Sequence, residues 1–139
     1  MAFDEITDDI EKVDARHGGK VGFTAGADII AGQAVKLTGN NEVSPSDADG
    51  EEVIGIATQT VSEGDTVDVN GISTVSNARV SAAVDAGDPL TSNGATGEEG
   101  ELAEADTDGD HVVGYALEDI GAGEYGQMII GHSYFDGGA

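Results

Sequence analysis

Two acidic stretches of the chain contain residue types that could bind a cation. Each carries the motif D-x-D-G, at residues 47–50 and 106–109. Calcium loops use carboxylate oxygens at this spacing, but they also need a bidentate acid at position 12 of the loop. That position falls on Ile56 in the first copy and on Tyr115 in the second. Asp106, Asp108 and Asp110 therefore remain candidates only for loosely bound Ca²⁺ or Na⁺, and an acidic turn is the alternative.

The remaining reactive residues do not form a known catalytic or cofactor pattern. His17, His111 and His132 are too far apart in sequence for metal-ligand spacing, and the chain has no cysteine. The glycine-rich phrases lack both the phosphate-loop and the dinucleotide fingerprint. No nucleophile elbow of the G-x-S-x-G type is present. We therefore expect no enzyme activity and no cofactor other than loosely bound cations.

The two D-x-D-G motifs open a longer repeat. Residues 47–69, "DADGEEVIGIATQTVSEGDTVDV", align without a gap with residues 106–128, "DTDGDHVVGYALEDIGAGEYGQM". Gly55 and Gly64 of the first copy recur as Gly114 and Gly123. The repeat predicts two similar hairpins, each with an acidic turn, a buried V-x-G-x-A strand, a glycine corner and a return strand.

From residue 20 onward the pattern indicates β-structure. Short runs rich in β-branched residues alternate with Gly, Asn and Asp, and the chain has 22 glycines. We predict an all-β protein, a small compact barrel or sandwich with many glycine turns, over residues 20–131. The phrase "TGNN" (residues 38–41) predicts a tight turn, and the polar stretch 91–101 predicts an exposed loop.

The first 19 residues form a separate segment in this interpretation. Phe3, Ile6, Ile10 and Val13 are spaced as one stripe of a helix, and two glycines follow at positions 18 and 19. This stripe indicates either a short helix that packs on its own domain or an arm that docks on a partner.

Both termini are candidates for protein–protein contact. Basic residues cluster between positions 12 and 20, which suits an acidic partner, and the tail 132–139 carries two aromatic residues. The predicted interface residues are Phe3, Ile6, Ile10, Lys12, Arg16, Lys20, Tyr134 and Phe135.

Charge excludes several classes of partner. The chain has 28 Asp and Glu against 5 Lys and Arg, a net charge of −23. Nucleic acids and anionic membranes both require clustered basic residues, so we expect neither as a partner. No secretory signal and no membrane span is recognisable. Such acidity is typical of folded proteins from a salt-saturated cytoplasm, where counterions screen the self-repulsion.

Three phrases of the chain resemble the capsid-cement (head-decoration) proteins of tailed phages. They are "AGQAVKL" at residues 31–37, the V-I-G-I-A…G-D-T-V-D-V run at 53–69, and the G-Y-A-L-E…A-G-E…M-I-I run at 114–130. The resemblance extends over residues 21–131. The N-terminal segment does not match the family pattern.

This resemblance implies a structural role. Cement proteins are compact β proteins, often trimers, that sit on the outside of the head and reinforce contacts between major capsid subunits. For this chain it implies a non-catalytic virion protein, a capsid-decoration (cement) or turret protein, assembled in the host cytoplasm. Combined with the acidity, it implies a tailed virus of a halophilic archaeon. The alternative is a surface or adhesin-type binding module whose acidic turns hold cations.

Overall fold

The computed structural model describes residues 20–137, with the side chain of Lys20 excepted. Within this range the chain forms strands and no helix, which confirms the predicted all-β class. The predicted N-terminal helix or arm lies outside the described residues. The strands are β1 (Lys20–Ala25), β2 (Ala34–Gly39), β3 (Glu42–Pro45), β4 (Gly55–Ala57), β5 (Thr66–Asn70), β6 (Val75–Arg79), β7 (Pro89–Ser92), β8 (Leu102–Glu104), β9 (His111–Ala116) and β10 (Tyr125–Tyr134).

Strands β1 to β5 close into a barrel in the order β1-β3-β2-β4-β5. Neighbouring strands are antiparallel except β1 and β3, where Ala25 pairs with Val43 in parallel. The sequence of β5, T-V-D-V-N, alternates so that Val67 and Val69 point into the barrel. Asn41 takes a positive φ of 53° between β2 and β3, which confirms the predicted turn there.

Strands β6 to β10 form a second sheet, β6-β10-β9-β7-β8, that repeats the barrel's pairing. The bridge between Ile29 and Val61 recurs between Val84 and Ile120, which lie 55 and 59 residues further along. The parallel pair that closes the barrel recurs as a single bridge between Val80 and Leu102. The predicted repeated hairpins, β4–β5 and β9–β10, are therefore confirmed, and the repeat extends to two whole five-stranded units.

The two units share one of the two hydrophobic cores. The barrel has its own core of buried residues, built around Ile29, Val35 and Val67. The core of the second unit also includes Ala34, Val53 and Ile56 from the first, all between 0% and 1% exposed. Because burial of apolar surface is the main favourable term in folding, this shared core joins the units into one body.

The loop between β7 and β8 also connects the two units. Between the equivalent positions, Leu37 to Val43 in the barrel and Ser92 to Leu102 here, the second unit has four more residues, which accounts for the change of repeat offset from 55 to 59. Gly100 accepts a hydrogen bond from the Ala34 N–H and donates one to the Ser46 carbonyl, both at 2.7 Å. The predicted exposed loop at residues 91–101 is wrong for Thr91, Ser92 and Gly100, which are buried, and right for residues 95–97 and 99, which are exposed.

Candidate docking surface

The three candidate cation ligands lie in the turn between β8 and β9, where each accepts a hydrogen bond. Asp110 Oδ2 accepts the Thr107 N–H at 3.2 Å, and Asp106 Oδ1 accepts the Thr107 hydroxyl at 3.0 Å. Asp108 Oδ1 accepts the N–H of Gly137 at 2.5 Å. Across residues 20–137, no three His, Asp or Glu side chains are grouped as a metal site requires. A loosely bound cation at this turn stays a prediction.

In the first D-x-D-G turn, as in the second, the third residue of the motif accepts a hydrogen bond from a backbone N–H. Asp49, the counterpart of Asp108, accepts the N–H of Gly94 at 2.6 Å. Lys36 bonds Asp47 at 2.5 Å and Glu51 at 3.1 Å across this turn. Its hydrogen bond lowers the pKa of Asp47, and the same contact raises the pKa of Lys36. In both acidic turns, therefore, a carboxylate binds the backbone of a segment that comes later in the chain.

Two histidines that are 21 residues apart meet beside the boundary between the units. The Val53 N–H donates to His111 Nδ1 at 3.3 Å. This bond assigns the proton of the neutral ring to Nε2, which then donates to Nδ1 of His132 at 3.1 Å. The rings stack with centroids 4.9 Å apart, and His111 is only 4% exposed. Because Val53 belongs to the first unit, His111 joins the two units in its neutral form.

We expect the stability of the protein to fall as the pH decreases through about 6.5. Burial, reinforced by the charge of His132 and opposed by Glu52, lowers the pKa of His111 from its usual 6.5. Below that pH the unfolded chain binds a proton that the folded chain resists, so the free energy of unfolding decreases with acidification. The check is the urea midpoint at about pH 7.5 and about pH 5.5 in constant high salt.

His111→Asn is the reference for this experiment, because its amide oxygen can still accept the Val53 N–H but does not titrate near neutral pH. The wild-type protein should lose more stability than the variant over the same interval. An equal loss in both proteins would mean that other groups cause the pH dependence.

The two C-terminal interface candidates differ in exposure. Tyr134 is 64% exposed, and its hydroxyl donates to Glu52 Oε1 at 3.2 Å. Phe135 is half-buried, and its carbonyl accepts the Gly109 N–H. Lys20 opens β1 opposite Asn70. The other predicted residues, Phe3, Ile6, Ile10, Lys12 and Arg16, lie outside the described range.

An apolar row crosses the outside of the second sheet. Val75 on β6 pairs with Ile129 on β10, and Ile129 pairs with Tyr115 on β9. Leu117 and Tyr125 lie in the neighbouring rows, and Arg79 stands over the Tyr125 ring at 5.8 Å. We call these side chains the outer apolar face; each is between 40% and 52% exposed. They are Val75, Tyr115, Leu117, Tyr125 and Ile129.

The polar residues within this face carry no negative charge. The other outward positions of β6 and β10 in these rows are Asn77, Arg79 and Gln127. Acidic side chains border the face, because Glu118 Oε2 accepts the Gln127 N–H at 2.9 Å and Glu101 lies 3.6 Å from Arg79. Exposed apolar clusters of this kind mark contact sites, whereas singly scattered apolar residues need no explanation.

The internal repeat supplies a direct comparison for this face. The equivalent row of the barrel consists of Lys20, Asn70, Ile56 and Ala34. Of these, Ile56 and Ala34 are fully buried in the core that the barrel shares with the second unit. Their counterparts in the second unit are Tyr115 and Pro89. The second unit therefore covers this surface of the barrel, whereas the equivalent surface of the second unit itself is exposed.

Sequence reasoning missed the outer apolar face because it looked for contact residues at the termini. The run Met128-Ile129-Ile130 in the sequence does indicate an exposed apolar face. Two of these residues face the core, and Ile129 between them puts an apolar side chain on the opposite side of the strand. A central strand that is apolar on both sides indicates cover on both faces.

The fold and this face define a compact all-β protein with an exposed apolar surface on its second sheet. A family model described as phage cement protein matches residues 15–130. The chain belongs to the phage cement protein family. No curated protein matches it in sequence.

A solved structure has a similar fold. It is the N base of the head fiber gp8.5 of bacteriophage phi29, with a TM-score of 0.64 and 20% sequence identity. The similarity covers 84% of this chain and 97% of that chain. At this identity the likeness establishes the shared fold. No helix among residues 20–137 is long and apolar enough to cross a membrane.

Proposed function

We propose that this protein is a capsid-cement protein that binds the outside of the head shell of a tailed virus and stabilises it without catalysis. Membership of the phage cement family supports a capsid-associated role. The single observation that carries the proposal is the outer apolar face, which is exposed in the second unit and covered at the equivalent place in the first. This face is the surface that we assign to the shell contact.

The charge distribution defines the chemistry of the partner. Outside the outer apolar face the chain is strongly acidic, so a close acidic partner would be repelled. The contacted surface of the major capsid protein is therefore apolar with a neutral or basic rim. Nucleic acid and anionic membrane are excluded as partners by the same charge.

The remaining parts of the proposal concern setting and assembly. The net charge of −23 favours a host with a salt-rich cytoplasm, such as a halophilic archaeon, in which the virion assembles. Self-association, with a trimer favoured, accompanies binding to the exterior of the head. Loosely held cations at the acidic turns help to screen the charge.

Purified virus particles test the function. Mass spectrometry of particles banded in high-salt density gradients is expected to find this protein at a fixed ratio to the major capsid protein. Its release by low salt or heat should lower the temperature at which the heads rupture, because the shell loses its cross-links. Recovery of the protein only in the soluble lysate, and never with particles, would overturn the proposal.

A further inference from the structure

One edge of the second sheet is open beside the outer apolar face. Strand β6 is an end strand of that sheet and pairs with β10 on one side. On its other side, a single bridge joins Val80, just beyond the end of the strand, to Leu102. In the described part of the chain, no strand therefore pairs with this side of β6 itself.

Two hydrogen bonds establish which way the backbone groups of β6 point. The Val80 N–H donates at 3.1 Å to the carbonyl of the residue that precedes β10, and the Arg79 N–H donates away from β10 to the Gly32 carbonyl at 3.3 Å. Because successive residues of a strand alternate in this way, the N–H and C=O groups of Val75 and Asn77 also point away from β10. Within the described chain, neither of these two N–H groups has an acceptor.

A cleft of about 550 Å³ lies along this free edge. Val75, Ser76 and Asn77 line it on the β6 side, and the opposite wall comes from the barrel, with Ile30 and Thr58 among its residues. None of the residues that line the cleft is charged, although the whole chain has 28 acidic residues. We call it the edge cleft; it presents backbone hydrogen-bonding groups, apolar carbon and neutral polar side chains.

The other end strand of this sheet is protected in a way that β6 is not. Strand β8 is three residues long, and Glu101 and Glu104 lie at its two ends. Short length and charge are common means by which proteins block the addition of a strand at a sheet edge. Strand β6 has five residues and no proline, and its one charged residue, Arg79, is the last of them. The edge of β6 is therefore open to a further strand.

An extended peptide is the ligand that these groups recognise. Free N–H and C=O groups at a sheet edge bind the backbone of an added strand, and the side chains around them select its residues. A strand that covers the five residues of β6 is about 17 Å long. Because an unpaired charge is costly to bury in a neutral cleft, the segment that fits here is uncharged.

The edge cleft is continuous with the outer apolar face, because Val75 and Tyr125 belong to both surfaces. We propose that an extended, uncharged segment of the major capsid protein adds to the free edge of β6 as a further strand. This inference rests on the proposed function, since it names the element of the shell that binds beside the outer apolar face.

Asn77→Pro in the full-length chain tests the proposal. Proline removes the N–H that points into the edge cleft, whereas the hydrogen bonds between β6 and β10 do not use that N–H. Its ring also obstructs the approach of another strand. In co-sedimentation with heads stripped of the protein, the variant should bind at least about tenfold more weakly than the wild-type protein.

Asn77→Ala is the matched control, because it removes the amide side chain and keeps the backbone N–H. It should bind stripped heads within about twofold of the wild-type protein, since the strand contact is made by the backbone. Urea midpoints of both variants check that they fold.

Hydrogen exchange of the wild-type protein is a second measurement that needs no variant. In the free protein the amides of Val75 and Asn77 should exchange rapidly, because they have no acceptor. On stripped heads both should exchange at least about tenfold more slowly. The amide of Ala78, which points towards β10, should exchange slowly in both states and serves as the reference.

Each contrary outcome identifies which statement fails. If the amides of Val75 and Asn77 exchange equally fast on heads, or if Asn77→Pro binds like the wild-type protein, the inference is overturned and the shell-binding role stands. A loss in Asn77→Ala as large as that in Asn77→Pro would also overturn it, because the side chain would then make the contact. Failure of the wild-type protein to bind stripped heads would instead overturn the proposed function.

Discussion

The double substitution Ile129→Asp and Tyr115→Asp is expected to abolish incorporation into heads while leaving the β body folded. The two side chains are partners in the central row of the outer apolar face and are 40% and 42% exposed. Truncating central residues of an interface costs about 2 kcal/mol or more, which is roughly a 30-fold loss of affinity. Two buried carboxylates opposite an apolar surface increase that loss. Co-sedimentation with heads stripped of the protein measures it.

Leu37→Asp is the matched control for this experiment. Leu37 is an apolar side chain that is somewhat more exposed, at 55%, but it lies on β2 beside Lys36 and Thr38, in the barrel and not in the second sheet. It should bind heads like the wild-type protein. If the double variant also sediments with heads at wild-type affinity, the shell contact is made by another surface.

Gly114→Ala is expected to lower the free energy of unfolding by about 3 kcal/mol or more and the Tm by roughly 10 °C. A Cβ atom at this position would lie 2.0 Å from the carbonyl oxygen of Ile129, on the paired strand. The Ile129 backbone cannot easily move away, because β10 is paired on both sides, with β6 and with β9. Gly55 is the barrel's equivalent, with the Asn70 carbonyl at 2.1 Å, and should behave alike.

Gly131→Ala provides the internal comparison. Gly131 lies on β10, the strand that pairs with the strand of Gly114, but a Cβ added at Gly131 meets no atom within 4 Å. Its substitution should change stability by less than about 0.5 kcal/mol. Thermal unfolding of both variants by circular dichroism measures the difference. Similar Tm values for Gly114→Ala and Gly131→Ala would contradict this prediction. They would mean that β9 and β10 can move apart enough to admit the added Cβ atom without a loss of stability.

The sequence predicts the local parts of this fold better than its long-range parts. The gapless match between residues 47–69 and 106–128 predicts the two hairpins because each is built from neighbouring strands. The same repeat also relates β1 to β6, but there the offset is 55 rather than 59. Four extra residues between β7 and β8 hide that relation from a gapless comparison. Gly100, near the end of the same segment, makes the contacts to Ala34 and Ser46.

The candidate surface is harder to predict for a physical reason. The apolar character of Val75, Tyr115 and Ile129 is visible in the sequence, but their alignment in one row depends on the register of three strands. These residues are up to 54 positions apart. His111 and His132 show the same limit, since spacing along the chain does not suggest a contact that the β9–β10 pairing creates.

The shared core has a thermodynamic consequence for a protein that must attach to a scaffold. The contact of Ala34, Val53 and Ile56 with the second unit lies within one polypeptide, so its formation is independent of protein concentration. A single chain therefore forms the whole shared core even when the protein concentration is low. Dilution then acts only on contacts with other molecules, which are the self-association and the shell binding proposed above.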